Sequence, residues 1–130
     1  MRPRRLASYA AAPVLLAFAR PLCGADIYVT GTGDTIAVDG LVTLREAITS
    51  ANNNADVNAD VTAHRTGAYG SDLIGFDLTG SPPYTISLNS ALPAITGTLA
   101  IDGTLQQDFV DKPVVEIEGS GAGASVSGLT

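Results

Sequence analysis

From residue 72 onward, the chain consists of short runs in which apolar residues alternate with polar or small ones. Ile74, Phe76 and Leu78 alternate in this way in the first run, and Leu99 and Ile101 do so in a later one. Stretches rich in glycine, proline or asparagine separate the runs. Because successive side chains of a strand point to opposite faces, this alternation predicts short strands with one buried face each.

Short strands at regular intervals fit either a β-sandwich or a β-solenoid. The separating turns lack the two-residue Asn-Gly or Asp-Gly hairpin type, with Asp102-Gly103 as the one candidate. A single amphipathic helix also precedes the strands, where it could cover the open first coil of a solenoid. These two features favour the solenoid.

The helix is predicted over residues 44–53. Thr43 is a good N-cap residue, and Glu46 three positions later completes a capping box. Asparagines at 52–54 suit a helix end, because this residue tolerates left-handed backbone. The helix has one apolar stripe at positions i, i+3, i+4 and i+7, formed by Leu44, Ala47, Ile48 and Ala51.

The amino terminus has the three parts of a secretory signal peptide, predicted to span residues 1–25. Three arginines within the first five residues precede an apolar run over 6–19, and Cys23-Gly24-Ala25 then supplies small residues for a peptidase. We expect cleavage between Ala25 and Asp26, with Ala17-Phe18-Ala19 as a second candidate site. The apolar run is too short to span a bilayer, so we expect a secreted or cell-surface protein.

Removal of that segment would change the charge and the cysteine content. Four of the 7 basic residues would leave, so that 3 remain against 13 acidic residues, a net charge of −10. A chain this acidic lacks the basic face that nucleic-acid binding requires. The single cysteine would also leave, and burial and backbone pairing would have to stabilise the fold without disulfides.

The helix start resembles a known family. The run Leu41-Val42-Thr43-Leu44-Arg45-Glu46-Ala47-Ile48, followed by Ala51-Asn52, resembles the CSLREA domain, as do three downstream segments at 72–78, 83–88 and 95–103. The family's first cysteine is replaced here by Val42. The resemblance implies an exported bacterial protein of the right-handed parallel β-helix type, often adhesin-like, with no known catalytic residue in this segment.

The expected fold class is therefore mainly β. It is the start of a right-handed parallel β-helix, a pectate-lyase-like solenoid, with an amino-terminal capping α-helix. Residues 26–71 would form the cap, with short strands at 26–30 and 35–38, the helix and a polar loop. Residues 72–130 would form the first coils, and the strand-like ending at 127–130 suggests a fragment. The side chains expected to point inward are Ile74, Phe76, Ile86, Leu88, Leu99, Ile101 and Ile117.

The corresponding functional expectation is a non-catalytic cap and first coils of an adhesin-like or structural surface protein. Its partners would be extracellular glycans or cell-surface components. The alternative is the front end of a β-helix polysaccharide lyase or glycoside hydrolase with its active site beyond residue 130. Carboxylates that face outward on successive strands would suit that chemistry, although outward charge is also the default for half-buried strands; they are Asp77, Asp102, Glu116 and Glu118.

Three other groups of residues are candidates for chemistry. Arg45 and Glu46 are adjacent on a helix and therefore do not face each other, so a structural role is expected. An Asp-x-Asn-x-Asp pattern over 56–60 resembles the opening of a calcium loop, but the invariant glycine and the final glutamate are missing. His64 is the only histidine and has no cysteine partner for a zinc site. We expect no cofactor, with calcium as the one candidate.

Overall fold

The structure, a computed structural model, describes residues 24–126 and 128–129. The basic and apolar parts of the predicted signal peptide lie outside the described residues, whereas Gly24 and Ala25 lie inside them. The described residues contain two α-helices and six short strands.

The larger sheet has four strands in the order β2-β1-β3-β5. The strands β1 (Asp26–Val29), β3 (Asp72–Phe76) and β5 (Leu99–Ile101) are parallel, whereas β2 (Arg65–Thr66) pairs antiparallel with β1. The smaller sheet is a parallel pair of β4 (Tyr84–Ser87) and β6 (Val115–Glu118). From β3 to β6, successive strands therefore alternate between the two sheets, whereas β1, β2 and β3 all belong to the larger one.

The helix α1 spans Leu44–Asn53, the range over which the apolar spacing predicts a helix. The Thr43 side chain accepts a hydrogen bond from the Glu46 N–H, and the Glu46 side chain accepts one from the Thr43 N–H. Asn54 ends the helix with φ = 50°, in the left-handed region. A second, shorter helix, α2 (Ala59–Ala63), lies within the segment predicted to be a polar loop.

One hydrophobic core joins α1 to the strands. All four residues of the predicted apolar stripe are buried, which confirms that face of the helix. Ile27 and Val29 of β1 and Ile74 of β3 are fully buried with them. The helix therefore covers one face of the larger sheet near β1 and β3.

The predicted fold class is wrong. The described residues form a mixed α/β architecture, with two helices and short strands of mixed direction in two small sheets, and no right-handed parallel β-helix or solenoid is indicated. Period-two alternation determines which face of a strand is buried, but not which strands pair or whether the chain coils regularly. The segment 35–38 also forms no strand. Its backbone bonds instead to the side chain of Glu46 in α1 and to those of the two N-cap residues, Thr43 and Asn58.

Burial decreases along the predicted inward set. Ile74, Phe76, Ile86 and Leu88 are buried, and Leu99 and Ile101 are half-buried. Ile117 is 42% exposed, so its inward placement is wrong. It lies on β6, which pairs with β4 alone in the described part of the chain.

Candidate functional site

The side chain of Arg45 joins three segments. Its guanidinium group donates to both carboxylate oxygens of Asp34 at 3.0 and 2.9 Å, and to the carbonyl oxygens of Ser90 and Ala91 at 3.0 and 2.8 Å. The Asn89 N–H donates to Asp34 Oδ2 at 2.7 Å. Burial alone would raise the pKa of Asp34, but the hydrogen bonds from Arg45 and Asn89 hold that pKa below its usual value. This pair attaches the loop that follows β4 to the start of α1.

Glu46 is fully buried and all its hydrogen bonds are internal. Its Oε2 accepts from the Thr43 N–H at 2.8 Å and from the Thr43 hydroxyl at 3.2 Å. Its Oε1 accepts from the Ala37 N–H at 2.9 Å and from Asn58 Nδ2 at 2.7 Å. Glu46 therefore links the start of α1 to two loops, while the adjacent Arg45 bonds to other partners, and the two do not form a catalytic pair.

Two more buried carboxylates hold backbone segments in place. Asp60 Oδ2 accepts from the N–H groups of residues 39–40 at 2.7 and 2.9 Å. Asp72 Oδ1 accepts from the Ala25 N–H at 2.8 Å and from the Gly70 N–H at 2.9 Å. Hydrogen bonds to a charged acceptor are stronger than neutral ones, so these two carboxylates stabilise loops that carry no regular structure.

The Asp-x-Asn-x-Asp pattern does not assemble into a cation site. Asp56 bonds to Arg65, Asn58 caps α2 through the N–H groups of residues 60–61, and Asp60 is committed to 39–40. Throughout 24–126 and 128–129, no group of three or more His, Cys, Asp or Glu side chains is placed to hold a metal ion. The calcium-loop interpretation therefore has no geometric support.

Asp56, Arg65 and Tyr69 form a compact cluster at the surface. Arg65 Nε donates to Asp56 Oδ1 at 2.6 Å, the Tyr69 hydroxyl donates to the same oxygen, and the guanidinium carbon lies 4.8 Å from the Tyr69 ring centre. The hydrogen bond from Arg65 lowers the pKa of Asp56 to about 2. Burial and the neighbouring carboxylate raise the pKa of Tyr69. The phenol therefore stays protonated, so the cluster holds the 56–69 segment rather than supplying a base or nucleophile.

The remaining predicted residues are also dispersed. His64 ends α2, where its N–H donates to the Asp60 and Val61 carbonyls and its own carbonyl accepts from Tyr28. Asp102 caps the turn at 103–105. This carboxylate and Asp77 follow strands of the larger sheet, whereas the other two outward carboxylates, Glu116 and Glu118, lie on β6 of the smaller sheet. The four outward carboxylates are thus divided between two sheets.

A shallow cavity of about 240 Å³ adjoins the larger sheet. It combines aromatic and apolar walls with a carboxylate and an amide, which bond to each other through Gln107 Nε2 and Asp77 Oδ1 at 2.7 Å. The lining residues are Tyr28, Phe76, Asp77, Leu105 and Gln107. Its volume is below the roughly 300–1,000 Å³ of most small-molecule pockets, so it could hold a single ring.

Sequence reasoning missed Tyr28 and Gln107 as site residues. Tyr28 stands between the buried Ile27 and Val29, so its place on the opposite face of β1 could be inferred from the alternation. Gln107 lies in the irregular segment before β6, and no pattern there predicts its position.

A second cavity, of about 260 Å³, is mostly apolar and lies beside β6. It offers few polar groups to orient a ligand. Its walls are formed by Gly103, Thr104, Phe109, Pro113, Val114 and Val115.

Among the described residues, no helix is both long enough and apolar enough to cross a membrane. Comparison with family models, with curated proteins and with solved structures gave no match to this chain.

Proposed function

We propose that this protein is an exported, non-enzymatic module of a secreted or cell-surface protein, structural or adhesin-like in role. The observation that carries the proposal is that its buried carboxylates bond to other segments of the chain. Asp34, Glu46, Asp60 and Asp72 each accept hydrogen bonds that join separate segments, and every buried side-chain nitrogen or oxygen in the described residues has a partner. A catalytic carboxylate must instead reach its substrate.

This use of buried charge suits a fold that must be stable without disulfides. The sequence contains a single cysteine, so no disulfide can form within one chain. Charge-assisted hydrogen bonds between loops and α1 provide an alternative set of cross-links. These bonds would keep the loops of an exported module ordered without disulfides.

Two features of the sequence support export and a surface role. The basic head, apolar run and small residues of 1–25 have the order of a signal peptide. The resemblance of 41–48 to the CSLREA domain, which we offer as a proposal, also associates the chain with exported surface proteins. Extracellular glycans are the partners that we propose.

The shallow cavity beside Tyr28 is the best candidate for a glycan contact. An aromatic face beside a carboxylate and an amide presents both an apolar surface and hydrogen-bonding groups to one ring. Tyr28 is half-buried, and Asp77 and Gln107 are exposed. A single sugar ring would bind weakly to such an open and small cavity. Several copies of the protein on one surface would bind a glycan more tightly through avidity.

Export can be tested by expressing the full chain in a bacterial host and separating cytoplasm, envelope and medium. We expect the wild-type chain outside the cytoplasm. Leu15→Arg places a charge in the apolar run and should retain it inside, whereas the exposed control Asp111→Arg should leave export unchanged. A wild-type chain found only in the cytoplasm would refute export.

Binding and catalysis can be tested on the exported protein. We expect glycan-array signals that fall at least several-fold in Tyr28→Ala and Gln107→Ala, but not in Val110→Ala, which alters a residue that is 84% exposed and outside the cavity. We expect no release of products from pectin-like or other acidic glycans. Turnover of such glycans would contradict the non-enzymatic role.

A further inference from the structure

Gly24 and Ala25 are integral parts of the fold. Ala25 is fully buried in the hydrophobic core. The Gly24 N–H donates to the Ser71 carbonyl, the Ala25 N–H donates to Asp72 Oδ1, and the Leu73 N–H donates to the Ala25 carbonyl, each at 2.8 Å. The two backbone–backbone bonds continue the pairing of β1 with β3 by two residues, and the bond to the Asp72 side chain adds to them.

The surrounding chain is shaped to receive these two residues. A Cβ on Gly24 would lie 2.3 Å from the Ser71 carbonyl carbon and 2.4 Å from Asp72 Oδ1, so only glycine allows this approach. Gly67, with φ = 79°, also lies close to this segment, because a Cβ there would lie 2.9 Å from the Gly24 carbonyl oxygen. Two glycines and a buried carboxylate therefore hold the 24–25 segment.

Cleavage after Ala25 would dismantle this arrangement. The mature chain would then begin at Asp26, and the three hydrogen bonds above would be lost. Asp72, which is 4% exposed, would lose the Ala25 N–H as a donor to Oδ1 and keep the Gly70 N–H. A buried carboxylate that loses a donor is destabilising, and the space left by Ala25 would open the core.

We propose that signal peptidase cuts the chain between Ala19 and Arg20, so that Gly24 and Ala25 remain in the mature protein. This inference rests on the proposed export. Upstream of Gly24, Ala17-Phe18-Ala19 supplies small residues at both positions that the peptidase reads, directly after the apolar run. Ala10-Ala11-Ala12 lies within that run and would shorten it too far. Water hydrolyses the peptide bond, leaving a carboxylate on Ala19 and an amino group on Arg20.

The cut site has a second chemical signature. Cleavage after Ala19 keeps Cys23 in the mature chain, which then carries one thiol, whereas cleavage after Ala25 removes the only cysteine. The full chain should therefore be exported from a bacterial host, purified, reduced, denatured and analysed by amino-terminal sequencing, intact mass and maleimide labelling.

We expect a product that begins at Arg20 and takes up one maleimide per chain. A product that begins at Asp26 and takes up no maleimide would overturn this inference but would still support export. A start at any other residue would overturn the assignment of the bond. A chain that is neither exported nor cleaved would overturn the proposed function, and this inference with it.

A matched pair of variants separates the two sites further. Ala19→Glu should abolish processing at the Ala19–Arg20 bond. Cys23→Glu alters the third residue before the alternative bond, which follows Ala25, and should leave the product beginning at Arg20. If Cys23→Glu blocked processing and Ala19→Glu did not, the cut would lie after Ala25 and the inference would fail.

Discussion

The strands β1 and β6 carry the same alternation of apolar and polar residues, yet they are buried to very different degrees. Ile27 and Val29 of β1 are fully buried, whereas Ile117 of β6 is 42% exposed. β1 pairs with strands on both sides and contacts α1, whereas β6 pairs with β4 alone among the residues that the structure describes. Alternation thus supplies a strand with an apolar face, but a second layer must cover that face before it contributes fully to stability.

The largest expected difference comes from placing a charge in the core beneath α1 and, separately, on β6. Ile48→Asp puts a carboxylate on the buried face of α1, where Ile48 is fully buried. We expect the unfolding free energy to fall by about 2–5 kcal/mol or more, because the substitution combines a core truncation with a buried charge. Ile117→Asp should cost about 1 kcal/mol or less. Urea denaturation measures both, and equal effects would show that α1 covers no core.

The ion pairs allow a second comparison. Asp34 in the Arg45 pair has a side chain that is 1% exposed, whereas Asp56 in the Arg65 pair is 17% exposed. Arg45→Ala leaves a buried carboxylate without its main partner and should cost about 2–3 kcal/mol. Arg65→Ala should cost about 1 kcal/mol. The same denaturation series would contradict this order if Arg65→Ala proved the more damaging.

Lowering the pH tests the Asp56–Arg65 pair separately from the buried Asp34–Arg45 pair. The pKa of Asp56 is lowered from 3.8 to about 2, chiefly by the hydrogen bond from Arg65. A lowered pKa in the folded state stabilises the protein above pH 4, and this contribution is lost as the pH falls from about 4 to about 2. We expect a loss on the order of 1–2 kcal/mol from this group.

Denaturation midpoints measured from pH 5 to pH 2 would report this loss. Asp56→Asn should flatten the acid decline, whereas the exposed control Asp111→Asn should not. An identical decline in Asp56→Asn and in the wild type would show that Asp56 is not the group that titrates.

The helix cap should show the smallest effect. Thr43→Ala removes the side-chain acceptor for the Glu46 N–H and should lower the free energy of unfolding by about 1 kcal/mol. Thermal melting of this variant beside Thr49→Ala, a mid-helix change, measures the cap itself. A loss as large as that of Ile48→Asp would mean that Thr43 holds much more than the first turn.

The helix α1 is the part of the fold that the sequence predicts best. Its start, its buried stripe and its end all follow from local chemistry, namely a Thr-x-x-Glu spacing, a 3.6-residue period and asparagine at the stop. The candidate cavity was not open to prediction in the same way. Tyr28 is on a regular strand, but it lines the same cavity as Gln107 only because segments far apart in sequence come together.

The sequence by itself determined the local elements of this protein: one capped amphipathic helix, short strands with one apolar face, and an acidic composition that lacks a basic face. The tertiary structure alone decided how those strands pair, and it produced a mixed α/β fold with two small sheets instead of a solenoid. It also decided that Arg45 and Glu46 bond to loops and that Ala25 belongs to the core. The physical reason is that a period or a cap depends on residues a few positions apart, whereas pairing and burial depend on which distant segments remove one another from water.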